Sequence, residues 1–246
     1  MIKVENISVM NFDNAIRGLR NPMNSWDKSD SFVCYKTNCE NCIYGEHINE
    51  TESVIICRGR RVLDGKEWMV YPSFFEIGPN DLDLCQRMIK AGDSDSKFLR
   101  QIFVSMDITA PLYWWKEADT YKVSTTTNSC STMHKIHAKR FEREDFSIEH
   151  LENCEEPHWL CTMDNVISSL NVAREKYLET KDKKYWWQMI QLLPTSYNQK
   201  RTWTGSYANL RNMYAQRRLH KLEEWREFCK MLETFPYGTE LITYNI

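Results

Sequence analysis

Between Ala110 and Ile136 the chain gathers side chains that could hold a flat, charged ligand. Trp114, Trp115 and Tyr121 stand beside Lys116, Lys122 and Lys135, and from Ser124 to Thr132 every residue except Asn128 and Cys130 carries a hydroxyl. Aromatic faces can stack on a planar ring. Lysines and hydroxyls can hold phosphate oxygens. The same residues also read as a buried aromatic helix followed by a polar turn, and both readings stay open on composition.

A second group lies nearer the end, where Asn209 precedes Arg211, Arg217 and Arg218. Helical spacing puts Arg211 and Arg218 seven residues apart on one face. Two guanidiniums there could grip a phosphate, or they could form a solvated basic face paired with Glu223, Glu224 and Glu227. Four thiols, Cys34, Cys39, Cys42 and Cys57, include one C-x2-C pair and could complete a tetrahedral zinc site. Their overall spacing fits no common zinc module, so no metal is expected. His134 and His137 sit three apart without an evident third ligand. G-x-S-x-G, the phosphate-binding P-loop and G-x-G-x-x-G are all absent.

Elements must position these groups. Residues 2–10 alternate loosely and predict an opening strand. Asn21 to Asp30 is turn-rich and predicts a loop. Apolar runs at Val54–Cys57 and Trp68–Tyr71 flank an Asp64-Gly65 pair, a hairpin signal. Pro79-Asn80 predicts a helix start, with Leu82, Cys85, Met88 and Ile89 on one face and Gly92 closing it. Further helices are predicted over about Ser96–Met106, from a Thr162 cap through Tyr177, over Lys183–Leu193 ending at Pro194, over Tyr207–His220 and over Leu222–Phe235.

With 246 residues, the chain can bury a full core. Lys plus Arg (32) nearly balance Asp plus Glu (34), which argues against bulk nucleic-acid binding. No run of about 18 apolar residues predicts a membrane span. The first residues lack the layout of a signal peptide, so the expectation is a cytoplasmic protein with reduced thiols.

Taken in order, the two polar groups resemble the flavin-dependent thymidylate synthase family. That family carries R-H-R-x-x-S-x-N-x-x-S-x-R, and here Thr126, Asn128 and Ser131 match its hydroxyl, Asn and Ser positions. Its later Leu-Pro, helix-opening Asn and Arg are matched by Leu193-Pro194, Asn209 and Arg218, with Trp225 in the place of a frequent aromatic. The triplet itself is Tyr121, Lys122 and Val123, the closing Arg is Met133, and the family's Ala-Gln is Glu223-Glu224. The resemblance implies one α+β domain over 1–246, with a small antiparallel sheet, a mainly helical C-terminal half and a Cys-rich flap inserted at about 32–72. It implies a homotetramer that binds a (deoxy)uridine-type nucleotide and methylates its C5 with FAD, folate and NADPH. Thr126, Asn128 and Ser131 would line the nucleotide, and Lys122 and Arg218 would hold its phosphate. Lys122, Asn209 and Arg211 would face the flavin, and Arg218 is the residue assigned to catalysis. The alternative is an inactive nucleotide-sequestering protein of phage or mobile-element origin on the same fold.

Overall fold

Strict alternation sets the centre of the fold. From Val104 to Ala110 apolar and polar residues take turns, and the chain runs as a strand, β8 (Phe103–Pro111). Val104, Met106, Ile108 and Ala110 are buried, while Ser105, Asp107 and Thr109 are half-buried. This corrects the helix expected over 96–106. Only Lys97–Arg100 turns there, as a short 3-10 segment. Period-2 burial on a sheet outweighs the helix-forming residues just before it.

The computed structural model describes residues 2–33, 75–152 and 158–246, and the backbone of short strands within 34–74. In chain order the elements are β1 (Lys3–Met10), α1 (Phe12–Leu19), β2 (Phe32–Tyr35), β3 (Glu46–His47), β4 (Ile55–Ile56), β5 (Arg61–Leu63), β6 (Lys66–Trp68) and β7 (Ser73–Glu76). They continue as α2 (Pro79–Ala91), β8, α3 (Leu112–Ala118), β9 (Thr126–Ser129), α4 (Thr132–Lys135), α5 (Trp159–Thr180) and α6 (Lys183–Leu192). The last are β10 (Asn198–Ser206), α7 (Tyr207–Arg217) and α8 (Glu223–Leu232). The main sheet has the order β1-β8-β10-β9. The side chains of β8 and β10 meet in antiparallel sense: Thr202 Oγ1 donates to Asp107 Oδ1 at 2.6 Å and Thr204 Oγ1 to Ser105 Oγ at 3.2 Å. The α+β class with an antiparallel sheet and a helical C-terminal half stands.

Several boundaries differ from expectation. The hairpin strands are β5 and β6, with Leu63 opposite Lys66, whereas Ile55–Ile56 pairs with Glu46–His47. The two-residue gap fits a tight turn, but Asp64 and Gly65 lie outside the described residues. So do Cys39, Cys42 and Cys57, and only the backbone of Cys34 is described, in β2. Helix α5 begins at Trp159, and Thr162 is inside it, its hydroxyl donating to the His158 carbonyl at 3.0 Å. Helix α2 opens at Pro79 and closes at Gly92, whose φ of 116° suits a residue without Cβ. Its buried face is Asp81, Leu84, Cys85 and Ile89 rather than one through Leu82 and Met88.

The chain divides into two compact units, 6–106 with 123–125 and 204–246, and 1–5 with 107–122 and 126–203. In the first, Phe12 on α1 meets Tyr207 and Tyr237 edge-on at 5.6 and 5.8 Å. Tyr207 OH donates to the Pro236 carbonyl, and Tyr237 OH accepts from Ile77 N at 2.7 Å. Asp81 on α2 accepts from Arg20, Ser29 and Ser31, and Asp30 in return caps α2 by accepting from Asn80 N and Asp81 N. A Cβ on Gly78 would lie 2.3 Å from Asp30 Cγ, so only glycine fits there.

In the other unit, Ile136, Phe141, Phe146, Met163, Ile167, Leu170, Ala173 and Met189 form a core between α5, α6 and the turns before them. Asn171 is buried in it and bonds both the N–H and the carbonyl of Phe141 at 2.9 Å.

Candidate functional site

Strand β9 lies at the edge of the main sheet, and all four of its residues are exposed. Its Thr126 and Asn128 are two apart and therefore share one side of the strand. Nothing apolar in Thr126–Ser129 drives burial. The strand exists because β10 supplies its partner. Just past it, the Cys130 N–H donates to the Lys200 carbonyl at 2.9 Å.

Ser131 follows as the N-cap of α4, its hydroxyl accepting from His134 N at 3.1 Å. A serine hydroxyl so engaged still has a proton to donate. Lys122 ends the turn after α3 and is exposed. The structure thus brings the exposed Thr126 and Asn128 and the half-buried Ser131 into one stretch of the same unit as Lys122.

The tryptophans before this stretch are core residues. Trp114 and Trp115 are both 1% exposed and stack edge-on at 4.9 Å. Neither offers a face for an external ring, and Tyr121 is buried as well. The buried-helix reading of this stretch holds for the aromatics, and after them Ser124 and Thr126–Ser129 are exposed while Thr125, Ser131 and Thr132 are half-buried.

On the neighbouring strand β10 begins a polar cluster that sequence reasoning missed. Trp115 Nε1 donates to the Gln199 carbonyl at 2.9 Å, and the Arg201 guanidinium lies 4.3 Å above the Trp115 ring. Arg201 Nε donates to Gln199 Oε1 at 2.9 Å and Nη1 to Asp119 Oδ1 at 2.8 Å. The stretch Asn198–Ser206 held the only signal, with Gln199, Arg201 and Trp203 at alternate positions.

The remaining three expected residues sit in the other unit. Ser206 and Asn209 form a capping box at the start of α7. Asn209 Oδ1 accepts from Ser206 N at 3.0 Å, and Nδ2 donates to the Val123 carbonyl at 2.9 Å. Arg211 Nη1 donates to the carbonyls of Ile242 and Tyr244 at 3.0 and 2.6 Å, tying down the C-terminal turn. Burial pushes its guanidinium below the ordinary value. Arg218 is the C-cap of α7 and is exposed. Among the described residues no carboxylate pairs with it, so the salt bridge to the following glutamates is not formed. Arg217 instead sits 5.4 Å from the Trp225 ring.

His134 and His137 do not converge on a metal. The ring of His137 meets Tyr177 at 4.9 Å, and no group of three His, Cys, Asp or Glu suited to a cation occurs among the described residues. Nor is any helix among them long and apolar enough to cross a membrane.

No family model and no curated protein matches this chain. Solved structures do. One is thymidylate synthase X (ThyX) from Helicobacter pylori with FAD and dUMP, similar at a TM-score of 0.61 and 13% identity over 100% of this chain and 98% of that one. Another is the flavin-dependent thymidylate synthase ThyX of the same organism, also complexed with FAD and dUMP, at 0.59 and 14% over 99% and 97%. The fold therefore resembles that of these flavin-dependent thymidylate synthases. At this identity the likeness concerns the fold.

Proposed function

We propose that the chain binds a (deoxy)uridine-type nucleotide through β9 and its flanks. The observation that carries this reading is the exposed Thr126–Ser129 strand, followed by Ser131 and preceded by Lys122. Its position in the sequence is where the resembled family places its nucleotide-binding signature. The Asn128 amide can donate and accept at once, which suits the donor and acceptor edge of a uracil ring. Thr126 and Ser131 add hydroxyls, and Lys122 supplies a cation for a phosphate. In its own unit Arg218 offers a guanidinium fork fit for bidentate phosphate contact. A homotetramer is part of this reading, since the resembled family builds its sites from several subunits.

C5 methylation would further require FAD, folate and NADPH. A flavin would supply hydride to a one-carbon unit when bound. The donor set here fits it poorly: Asn209 is committed to Ser206 and Val123, and Arg211 Nη1 to two carbonyls, leaving only exposed Lys122 of the three flavin-facing residues. That favours the second reading, a nucleotide-binding or sequestering protein without flavin chemistry. Purification and identification of released small molecules separates the two. A colourless protein that binds dUMP is the expected result. A yellow protein that releases FAD and turns dUMP into dTMP with folate and NADPH would establish the enzyme.

A further inference from the structure

We propose that Arg201 and Gln199 form a positioning relay that holds the two flanks of the candidate nucleotide strand in register; its functional consequence rests on the reading of β9 just given. One flank is Lys122 and the other is Cys130-Ser131. Asp119, three residues before Lys122, accepts from Arg201 Nη1 at 2.8 Å. Arg201 Nε donates to Gln199 Oε1 at 2.9 Å, and Gln199 Nε2 donates onward to the Cys130 carbonyl at 2.8 Å. The hydrogen bonds therefore run unbroken from the turn bearing Lys122 to the residue before Ser131.

Each member fixes the next. Trp115 is buried and held by its own bond to the Gln199 carbonyl, so it gives Arg201 a rigid plane to stack on. With Arg201 donating to it, the Gln199 oxygen must face the guanidinium, which turns its NH2 group towards Cys130. A planar fork with a stacking face is needed, because a lysine ammonium cannot serve two acceptors in fixed directions and lie flat on an indole. The Arg201 side chain is only 14% exposed and Gln199 is buried, so water competes weakly for the two bonds of Gln199, while Asp119 is an exposed end of the chain of bonds. Neither residue needs to touch the nucleotide. Their effect reaches it through Lys122, Asn128 and Ser131.

The test uses Arg201→Lys, which removes the fork, and Gln199→Glu, which keeps the acceptor for Arg201 but cannot donate to Cys130. Amide hydrogen exchange is followed in the full chain, together with dUMP affinity by calorimetry. The expected result is faster exchange of the Cys130 amide, with α5 and α6 unchanged. It is accompanied by a loss of dUMP affinity of about tenfold, a typical coupling within one network. Ser131→Ala should then cost less in the Arg201→Lys background than in wild type. Unchanged exchange at Cys130 in both variants overturns the relay, as does faster exchange spread equally over α5 and α6. Faster local exchange with unaltered dUMP affinity overturns its positioning role. If wild type takes up no dUMP while Cys130 exchange still rises locally, the nucleotide reading fails and the relay stands.

Discussion

The carboxylate of Asp81 has no exposed surface and accepts from Arg20 Nε, from the hydroxyls of Ser29 and Ser31 and from the N–H groups of Asp30 and Ser31. Burial pushes its pKa up, but the bonds from Ser29, Ser31 and Arg20 together bring it below the ordinary 3.8. A carboxylate whose native value is depressed contributes stability above its unfolded value and loses it as the pH falls through the native one. The acid limb of the unfolding curve should therefore begin below about pH 4 and carry this group. Asp81→Asn leaves the Arg20 guanidinium buried without its counter-charge, so at pH 7 it should cost about 3–5 kcal/mol in denaturant unfolding. It should also flatten that acid limb. Arg218 is the opposite kind of residue, exposed and without an ion pair among the described residues. Arg218→Ala should leave the melting temperature unchanged and weaken dUMP binding roughly 10- to 150-fold, the worth of charged hydrogen bonds. Arg218→Lys should recover only part of that. Equal affinities of wild type and Arg218→Ala would remove Arg218 from the site.

Elements differ in how openly they show themselves in the sequence. Helices α2 and α6 are bracketed by Pro79, Gly92 and Pro194, and their ends fall within a residue of expectation. The turn signals that end helices act locally, so they survive in any fold. The strand β8 is legible in its Val104–Ala110 alternation, but Lys97, Leu99 and Arg100 before it have good helix propensity and compete with that signal. The strands β9 and β10 are harder for a physical reason. The outward side chains of β10 bond polar partners on neighbouring strands: Lys200 to Asp107 at 3.1 Å, and Thr202 to the same carboxylate. β9 has no apolar residue at all. Polar ladders give no hydrophobic period, and pairing of residues some 70 apart leaves no local trace. The relay beside β9 was invisible for the same reason. Helix α5 carries a testable consequence. Asn171→Ala strands both the N–H and the carbonyl of Phe141 in the core, at about 1–3 kcal/mol each. Asn171→Asp keeps the acceptor but turns a carboxylate oxygen towards the Phe141 carbonyl in the core, so at neutral pH it should cost at least as much in denaturant unfolding.

Across the whole molecule, short matches at Asn128, Ser131, Leu193-Pro194, Asn209 and Arg218 were enough to indicate a fold that structural likeness supports. They were not enough to say what each residue does. Asn209 and Arg211 hold backbone groups, a role that depends on carbonyls far away in sequence at Val123, Ile242 and Tyr244. The expected assembly is a homotetramer, and light scattering at micromolar concentration should give four times the chain mass. A monomer would remove the multi-subunit site. Binding of a uridine nucleotide by this fold is the proposal on which the rest depends. It is tested by calorimetric titration of dUMP into the 246-residue chain, with Ser131→Ala and Lys122→Ala titrated alongside. The expected result is saturable binding in wild type, near one nucleotide per chain, and clearly weaker binding in both variants. Wild type that releases no heat and gains no thermal stability up to millimolar dUMP, or variants that bind as tightly as wild type, would contradict it.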